Sequence, residues 1–429
     1  MFGYYLELAA RSSKSTAALT ALTILAVGVG IGASMTVFTL FRALSGDPIP
    51  QKSAHLFVPF IDNWGPNASI PEIWRSQLSY MDATALMRAR RASRQAAMYA
   101  TSTTITPNSA TATPFIAIGR ATDADFFQMF DVPFQAGVPW STADDHESPP
   151  IVVLTRKFAE RLFPSGHAVG HEVVIDQHPY RVVGVLKEWN PQPHFYDLGA
   201  QPEDFFLPFS TAIDRQMRGM SLACNTPAAP GWSGLLSSEC IWISFWVELN
   251  TSSDAEAYGR FLHNYAASQQ DIGRFNWPPR FALYSLREWL TRQQVVPKEI
   301  RVASFAAFGF LAVCLMNAIS LLLAKFTGRR AQVSLHQALG ASRGDIFAQH
   351  LTETVLIGVG GGLLGLLLTW LGLILERAIL GGDLASLAQL DSGMVLITMG
   401  LAAFATLACG VYPSWRASNV PPAWQLKAL

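Results

Sequence analysis

Chemistry in this chain would have to come from His146, His167, His171, His178 and His194, which sit among carboxylates in one long polar stretch. Histidine with carboxylate can bind zinc or exchange protons, but both tasks need fixed spacing. His171-Glu172 opens like a zinc-binding helix, yet it lacks the second histidine that would put two imidazoles on one face. No H-E-x-x-H, G-x-S-x-G or C-x-x-C occurs. Scattered histidines of this kind serve as surface or turn residues, so a membrane-anchored enzyme is the least favoured of three functional readings. Gly358, Gly360, Gly361, Gly362 and Gly365 form no phosphate loop, because the G-K-[ST] ending is missing and the surroundings are apolar. Close packing of helices is what they suit. Cys224 and Cys240 lie in the polar stretch and could pair in an oxidising compartment, contributing about 3 kcal/mol in the loop-entropy model. Two unpaired buried thiols are the alternative. Cys314 and Cys409 fall in apolar windows and read as small packing residues. No catalytic, cofactor-binding or metal-binding residue is assigned.

The elements that hold these residues are set by hydropathy. The 429 residues carry zero formal net charge, half are hydrophobic and 14% are charged, against about 25% in soluble domains. Neutrality excludes the basic footprint of a nucleic-acid binder. Windows 15–41, 302–324, 354–375 and 392–415 lack charge, and each reaches the roughly 20 apolar residues a membrane span needs. The first is far longer than the h-region of a signal peptide and reads as an uncleaved anchor. Within it, Gly28 and Gly32 form a G-x-x-x-G face for close helix approach. Asn317, polar in the second span, is expected to hydrogen-bond across to a neighbouring helix, contributing about 1 kcal/mol. Contact with a substrate is the other reading.

The expected order is an interfacial segment (1–14), span 1 (15–44), a large soluble insertion (45–300), span 2 (301–324), a polar connection (325–353), span 3 (354–375), a loop (376–391), span 4 (392–411) and a tail (412–429). Inside the insertion, 55–60, 101–106, 114–118, 151–154, 205–209 and the run ECIWISFWVEL read as strands. Residues 172–175 and 180–185 read as a hairpin. Residues 82–98 read as a basic amphipathic helix, 253–269 as another, and Phe126, Phe127 and Phe130 as apolar staples into a core. Alternating strands and helices imply a mixed α/β domain of two lobes. Lysine and arginine are richest in the N-terminal segment, the 325–354 connection and the tail, which puts both termini and that connection in the cytoplasm and the insertion outside.

The connection reads KFTGRRAQVSLHQALGASRGDIFAQHLTET and carries Lys325, Arg329, Arg330 and Arg343. Ala331, Leu335, Ala338 and Leu339 fall at i, i+4, i+7 and i+8, one apolar stripe of a short helix. Gly340 stops it, and Ser342 with Asp345 forms a capping-box pattern that starts the next helix. A short helix pinned between two spans cannot move without dragging them.

RRAQVSLHQALGASRGDIFAQHLTETVLIGVGGGLLGLLL resembles the permease segment of FtsX-like and MacB-like ABC transporters. LTILAVGVGIGASMTVFTLFRAL resembles the family's first helix, and CLMNAISLLLAKFTGRRA its second. DADFFQMFDVPFQAG, PPIVVLTRKFAERLFP, VGHEVVIDQHPYRVVGV and FFLPF resemble its periplasmic core domain, and VYPSWRASNVPPAWQLKAL its C-terminal end. The resemblance implies an α+β membrane protein of the bacterial inner membrane. It would have four transmembrane helices and a large, two-lobed, mixed α/β periplasmic domain inserted between helices 1 and 2. It implies a second permease chain, a cytoplasmic ABC ATPase that binds ATP and magnesium, and a periplasmic adaptor with an outer-membrane channel. Arg329, Arg330, Ala331, Leu335, Ala338, Leu339, Gly340 and Ser342 would couple to the ATPase. No Walker A motif is found, so the chain is expected not to hydrolyse ATP itself. Where the family carries charge in the coupling helix, this chain has Gln332, His336 and Gln337. That departure suggests a dedicated ATPase or a heterodimer with a more typical permease. The leading reading is a permease exporting a hydrophobic compound, peptide or lipoprotein; the alternative is a mechanotransmission permease that regulates a cell-wall hydrolase.

Overall fold

Strands whose successive residues are all apolar need cover on both faces, and the middle of this chain supplies it. In the computed structural model the described residues are 16–418 without 69, 72–74, 108–112, 165, 199–200, 279, 330–332, 334, 336, 338–339 and 381–391. They fall into two units, Gly46–Val295 and Met1–Ser45 with Val296–Leu429.

In the first unit the strands are β1 (Leu56–Ile61), β2 (Leu78–Ser79), β3 (Arg94–Thr106), β4 (Phe115–Thr122), β5 (Phe134–Gly137), β6 (Ile151–Leu154), β7 (Glu172–Ile175), β8 (His178–Leu186), β9 (Phe205–Pro208), β10 (Ile241–Glu248) and β11 (Phe281–Ser285). They join in one sheet of order β11-β1-β10-β3-β4-β9-β6-β8-β5, with β2 on β10 and β7 bridging β3 and β8. The sheet is mixed: β4 with β9 and β6 with β8 are parallel, and the other pairs are antiparallel. The expected two lobes are thus replaced by one continuous sheet. The 13-residue β3 makes it so, pairing along its length with β10, β4 and β7.

Side chains alternate between the two faces. Ala97, Tyr99, Phe205, Leu207, Val152 and Leu154 enter one core, and Ala96, Met98, Phe206, Ile151, Val153 and Trp246 the other. Helix α2 (Tyr80–Ala89) packs on the first face through Ala83 and Leu86, and α4 (Ser252–Asp271) through Tyr258 and Leu262. Helix α3 (Asp125–Met129) and the residue after it pack on the second, where Phe126 and Phe130 meet Phe195, Tyr196 and Trp246. The reading of residues 82–98 as one helix is corrected here. Arg90 adopts the left-handed conformation at φ 45°, α2 stops at Ala89, and β3 begins at Arg94.

Two arginines fasten the loops. Buried Arg120 on β4 pairs with Glu203 and, at 2.7 Å, with Asp197, and its guanidinium lies 4.9 Å from the Tyr196 ring centre. Arg274 grips both oxygens of buried Asp82 at 2.6 and 2.8 Å and reaches Glu239 at 2.6 Å. Cys224 and Cys240 form a disulfide.

The second unit holds α1 (Ala17–Ser45), α5 (Lys298–Thr327), α6 (Arg343–Leu380) and α7 (Ser392–Ser418). Among the described residues these are the helices long and apolar enough to cross a membrane. Glycines let them approach closely. A Cβ on Gly28 or Gly32 would lie 2.7 or 2.6 Å from Leu364 or Leu368 of α6. On the other side of α6, a Cβ on Gly358 would lie 2.2 Å from Thr406 of α7, and one on Gly362 would lie 2.9 Å from Ala402. The buried hydroxyls Thr23, Ser34, Thr39, Ser304, Thr354, Thr369, Thr398 and Thr406 all point inward. Ser34 of α1 donates to the Ala307 carbonyl of α5 at 2.8 Å.

Candidate coupling site

The inner face of α5 carries Leu311, Cys314, Ala318, Leu322 and, one turn later, Lys325. A lysine on this stripe must bury its charge, and it does so with a partner. Its side chain is fully buried, its Nζ lies 2.5 Å from Oε1 of equally buried Glu353 on α6, and it donates to Oγ1 of Thr20 on α1 at 2.7 Å. Three spans therefore meet at one cation. Arg329, just past α5, stands 3.8 Å from the same Glu353 oxygen and donates to Thr16 Oγ1 at 3.2 Å. Leu322 and Phe326 pack with Ile357 and Cys409, and Phe326 lies against the His350 ring at 4.3 Å between centres. Apolar packing around an ion pair strengthens its attraction by lowering the local dielectric. It also makes either charge costly alone.

Lys325, counted in the sequence as a loop charge, is thus an internal joint, and Glu353 and Thr20 were missed. Their separation in sequence hides the arrangement. The available clue was periodicity, since Lys325 continues the buried stripe of α5 and Glu353 lies one residue before the apolar window of α6.

Between Lys325 and Glu353 lies the segment expected to couple. Arg330, Ala331, Ala338 and Leu339 fall outside the described residues. Leu335 is helical and 60% exposed. Gly340 has φ +99° with open space around it, so backbone conformation alone requires glycine there. Ser342 and Asp345 close a reciprocal cap: Asp345 N–H donates to Ser342 Oγ at 3.2 Å, and Ser342 N–H donates to the Asp345 carboxylate at 3.0 Å. The cap stiffens the start of α6, eight residues before Glu353 at the joint.

The remaining residues singled out in the sequence divide. Gly28, Gly32, Gly358 and Gly362 all sit at helix contacts. Asn317 does not: it is exposed on α5, and its side chain has no hydrogen-bond partner among the described residues. The expectation that it bonds to a neighbouring helix of the same chain is corrected, because it lies away from the stripe of Leu311, Cys314 and Ala318 that packs inward. His146 lies in the short helix Asp144–Glu147 and His178 begins β8, while His171 and His194 lie in connecting segments. Among the described residues no cluster of three or more histidine, cysteine or carboxylate side chains could hold a metal ion.

The model of the MacB-like periplasmic core domain matches residues 20–260, and that of the FtsX-like permease C-terminal region matches residues 304–422. The macrolide export ATP-binding/permease protein MacB of Salmonella typhi is 25% identical over 301 residues, 70% of this chain and 41% of that protein. The MacB protein of Bdellovibrio bacteriovorus is 26% identical over 277 residues, 63% of this chain and 38% of that one. An uncharacterized ABC transporter permease of Bacillus subtilis, YvrN, is 23% identical over 57% of this chain and 55% of its own. The chain thus spans under half the length of these MacB relatives. Among solved structures, the periplasmic region of MacB from Actinobacillus actinomycetemcomitans is 15% identical with a TM-score of 0.37, covering 56% of this chain and 92% of that one. The extracellular domain of the Gram-positive transporter YknZ is 14% identical with a TM-score of 0.35, covering 53% and 99%.

Proposed function

The chain belongs to the ABC permease family that joins a MacB-like periplasmic core domain to an FtsX-like C-terminal region. From that premise we propose that it is the membrane subunit of a transporter whose ATPase, with its ATP and magnesium, lies outside these 429 residues. The α/β unit, inserted between the first and second spans, faces the periplasm. Both termini and the segment around Leu335 face the cytoplasm. The ATPase presses on that segment, and the joint of Lys325, Glu353 and Thr20 passes the push to three spans at once.

That joint is the observation that carries the reading. A buried charge pair resists sliding, because separating its members leaves both uncompensated. Motion of the segment must therefore move α5 and α6 together, with α1 held to them by Thr20. Arg329 and the cap of Ser342 limit slack at either end of the segment. The cargo fitting this reading is a hydrophobic compound, peptide or lipoprotein. A second permease chain, a periplasmic adaptor and an outer-membrane channel complete the assembly. The relatives named for macrolide export support export as the task.

The test uses the full chain with its ATPase. Replacing Leu335 and Leu339 with Asp is expected to abolish co-purification of the ATPase while membrane insertion persists. Undiminished co-purification would remove Leu335 from the contact. Drug susceptibility of the deletion strain separates export from regulation of a cell-wall hydrolase. Export predicts sensitisation with normal septation, and the alternative predicts chained or misdivided cells without it.

A further inference from the structure

The α/β unit contains a cavity of about 540 Å³ to which the coupling reading gives no task. That volume suits a small organic molecule. Separate stretches of chain build its wall. Helix α2 supplies Tyr80, β3 supplies Gln95, and the turn from β4 into α3 supplies Asp123 and Asp125. Asp145 comes from the helix Asp144–Glu147, and Phe209 from the helix Phe209–Asp214. Neutral donors alone hold the three carboxylates. The Ala97 N–H donates to Asp123 Oδ2 at 2.8 Å, and the Gln95 N–H to Asp125 Oδ2 at 3.2 Å. The Ala124 N–H and the Trp140 indole donate to Asp145 at 3.0 and 2.9 Å. Asp123 is only 5% exposed, and its other oxygen accepts no hydrogen bond among the described residues. None of the three carboxylates has an ion-pair partner among those residues.

The same wall carries acceptors that lack donors. The Gln95 side-chain N–H donates to the Met87 carbonyl at 2.6 Å, which leaves Gln95 Oε1 buried without a partner. Ser210 Oγ, also on the wall, is buried without one. Such atoms are rare in folded proteins and costly. Arg88 and Arg90 line the cavity too, but both are exposed, as is Asp214. Water screens charges so placed, and Arg90 Nη2 lies 3.3 Å from His146 Nε2. Burial pushes the Asp123 and Asp145 carboxyls upward, and Asp145 adds to it for Asp123; Arg90 offsets only part of that. The cavity therefore lacks a positive charge that brings hydrogen-bond donors. No three of the described histidine, cysteine or carboxylate side chains could hold a metal ion, so the donors point to an organic cation. For its body, the rings of Tyr80 and Phe209 stack 6.4 Å apart with 9° between their planes. They offer apolar area and a π face that attracts cations.

We propose that this cavity binds a primary organic ammonium ion, whose N–H groups donate to Asp123, Asp145 and Gln95 Oε1 while its apolar body lies against Tyr80 and Phe209. A primary ammonium carries three donors and no acceptor, which matches a wall with spare acceptors and uncompensated carboxylates. The site goes beyond the transport reading and does not rest on it, since binding needs neither the ATPase nor motion of the spans.

The experiment is thermal unfolding of the full chain in detergent at neutral pH, with 2-phenylethylammonium, hexylammonium or cyclohexylammonium chloride as the probe. Apparent affinity is read from the concentration dependence of the melting temperature. 2-Phenylethanol, hexanol, phenylacetate and calcium chloride are the comparison compounds. At least one amine is expected to raise the melting temperature, and none of the comparison compounds is. Asp145→Asn keeps an oxygen for the Ala124 and Trp140 donors and is expected to weaken that amine about tenfold or more, the loss of one charged hydrogen bond. Asp125→Asn removes a second charge from the wall and should weaken it in the same direction, which gives an independent variant. Glu256→Gln, an exposed acid on α4, should leave the affinity unchanged. Failure of all three amines to shift the melting temperature overturns the site, as does an equal shift in both Asp145→Asn and Asp125→Asn. Equal shifts by the alcohols overturn the role of charge, and a shift by calcium alone overturns the organic class. None of these outcomes bears on the permease reading, which stands on co-purification of the ATPase.

Discussion

Lys325 and Glu353 hold each other in place because neither charge is tolerable there alone. Both side chains are essentially removed from solvent, and the Lys325 ammonium also donates to the Thr20 hydroxyl. Lys325→Met leaves the Glu353 carboxylate buried without its nearest cation, with Arg329 farther off at 3.8 Å. A loss of about 3–5 kcal/mol follows from breaking a buried pair. Replacing both residues with Met is expected to restore most of that stability, since an apolar pair of similar volume needs no desolvation. If the pair transmits force, the double variant will melt near the native temperature, still bind the ATPase and lose ATP-dependent efflux. Native efflux in a stable double variant would reduce the pair to a packing element. Lys325 was visible in the sequence as a charge, but its role was not. A lysine at the end of a span reads as an interfacial anchor until the fold shows which helix lies against it.

Helix α6 works through two separate faces. Gly361 and Gly365 lie against Val27 and Ile31 of α1, and Gly358 and Gly362 against Thr406 and Ala402 of α7. Steps of four put each pair on one side, so a single glycine-rich run packs two neighbours. The contrast between Gly358 and Gly400 gives an internal control. Gly358→Ala forces a methyl against Thr406 and is expected to destabilise the bundle by about 1–3 kcal/mol. Gly400, with no neighbour near its Cβ position, should tolerate Ala with a gain of up to about 1 kcal/mol. Thermal unfolding in detergent reads both; equal effects would show that helix propensity outweighs packing. This element was legible, because hydropathy marks spans and glycine marks contact. The strand β3 was not. Its start, RQAAMYAT, has alanines where the sheet takes helices on both sides, so Ala96, Ala97 and Ala100 are buried without any alternation. An alanine-rich run after basic residues reads as helix by propensity, and only pairing with β10 and β4 makes it a strand.

At the scale of the whole α/β unit, the order of strands could be anticipated but their union into one sheet could not. Pairing between β4 and β9, or β6 and β8, joins segments whose partners no local pattern names. The same long-range assembly buries ionisable groups on opposite terms, and the unit's stability should record both. For Glu203, burial alone would raise the carboxyl, but Arg120 and His194 outweigh it and hold it well below the usual carboxylate range. Its contribution is present above its ordinary value of 4.5 and is lost as pH falls. Asp145 behaves in the opposite sense. Burial pushes it up to about 6, against hydrogen bonds from the Ala124 N–H and the Trp140 indole, and buried Asp123 beside it is raised in the same direction by burial and by Asp145. Stability from Asp145 is complete below its ordinary value of 3.8 and is lost as pH rises through about 6. Asp145→Asn keeps an oxygen for both donors and removes the charge. It is expected to stabilise the chain at pH 7 by up to about 3 kcal/mol and to have little effect near pH 4. Melting curves of both proteins across that range give the answer, because a gain that persisted at pH 4 would have a cause other than the carboxylate. Asp123, Asp145 and His146 line one cavity of about 540 Å³ together with Tyr80 and Phe209. The acid-linked contribution therefore comes from carboxylates that line a cavity, and not from either apolar core.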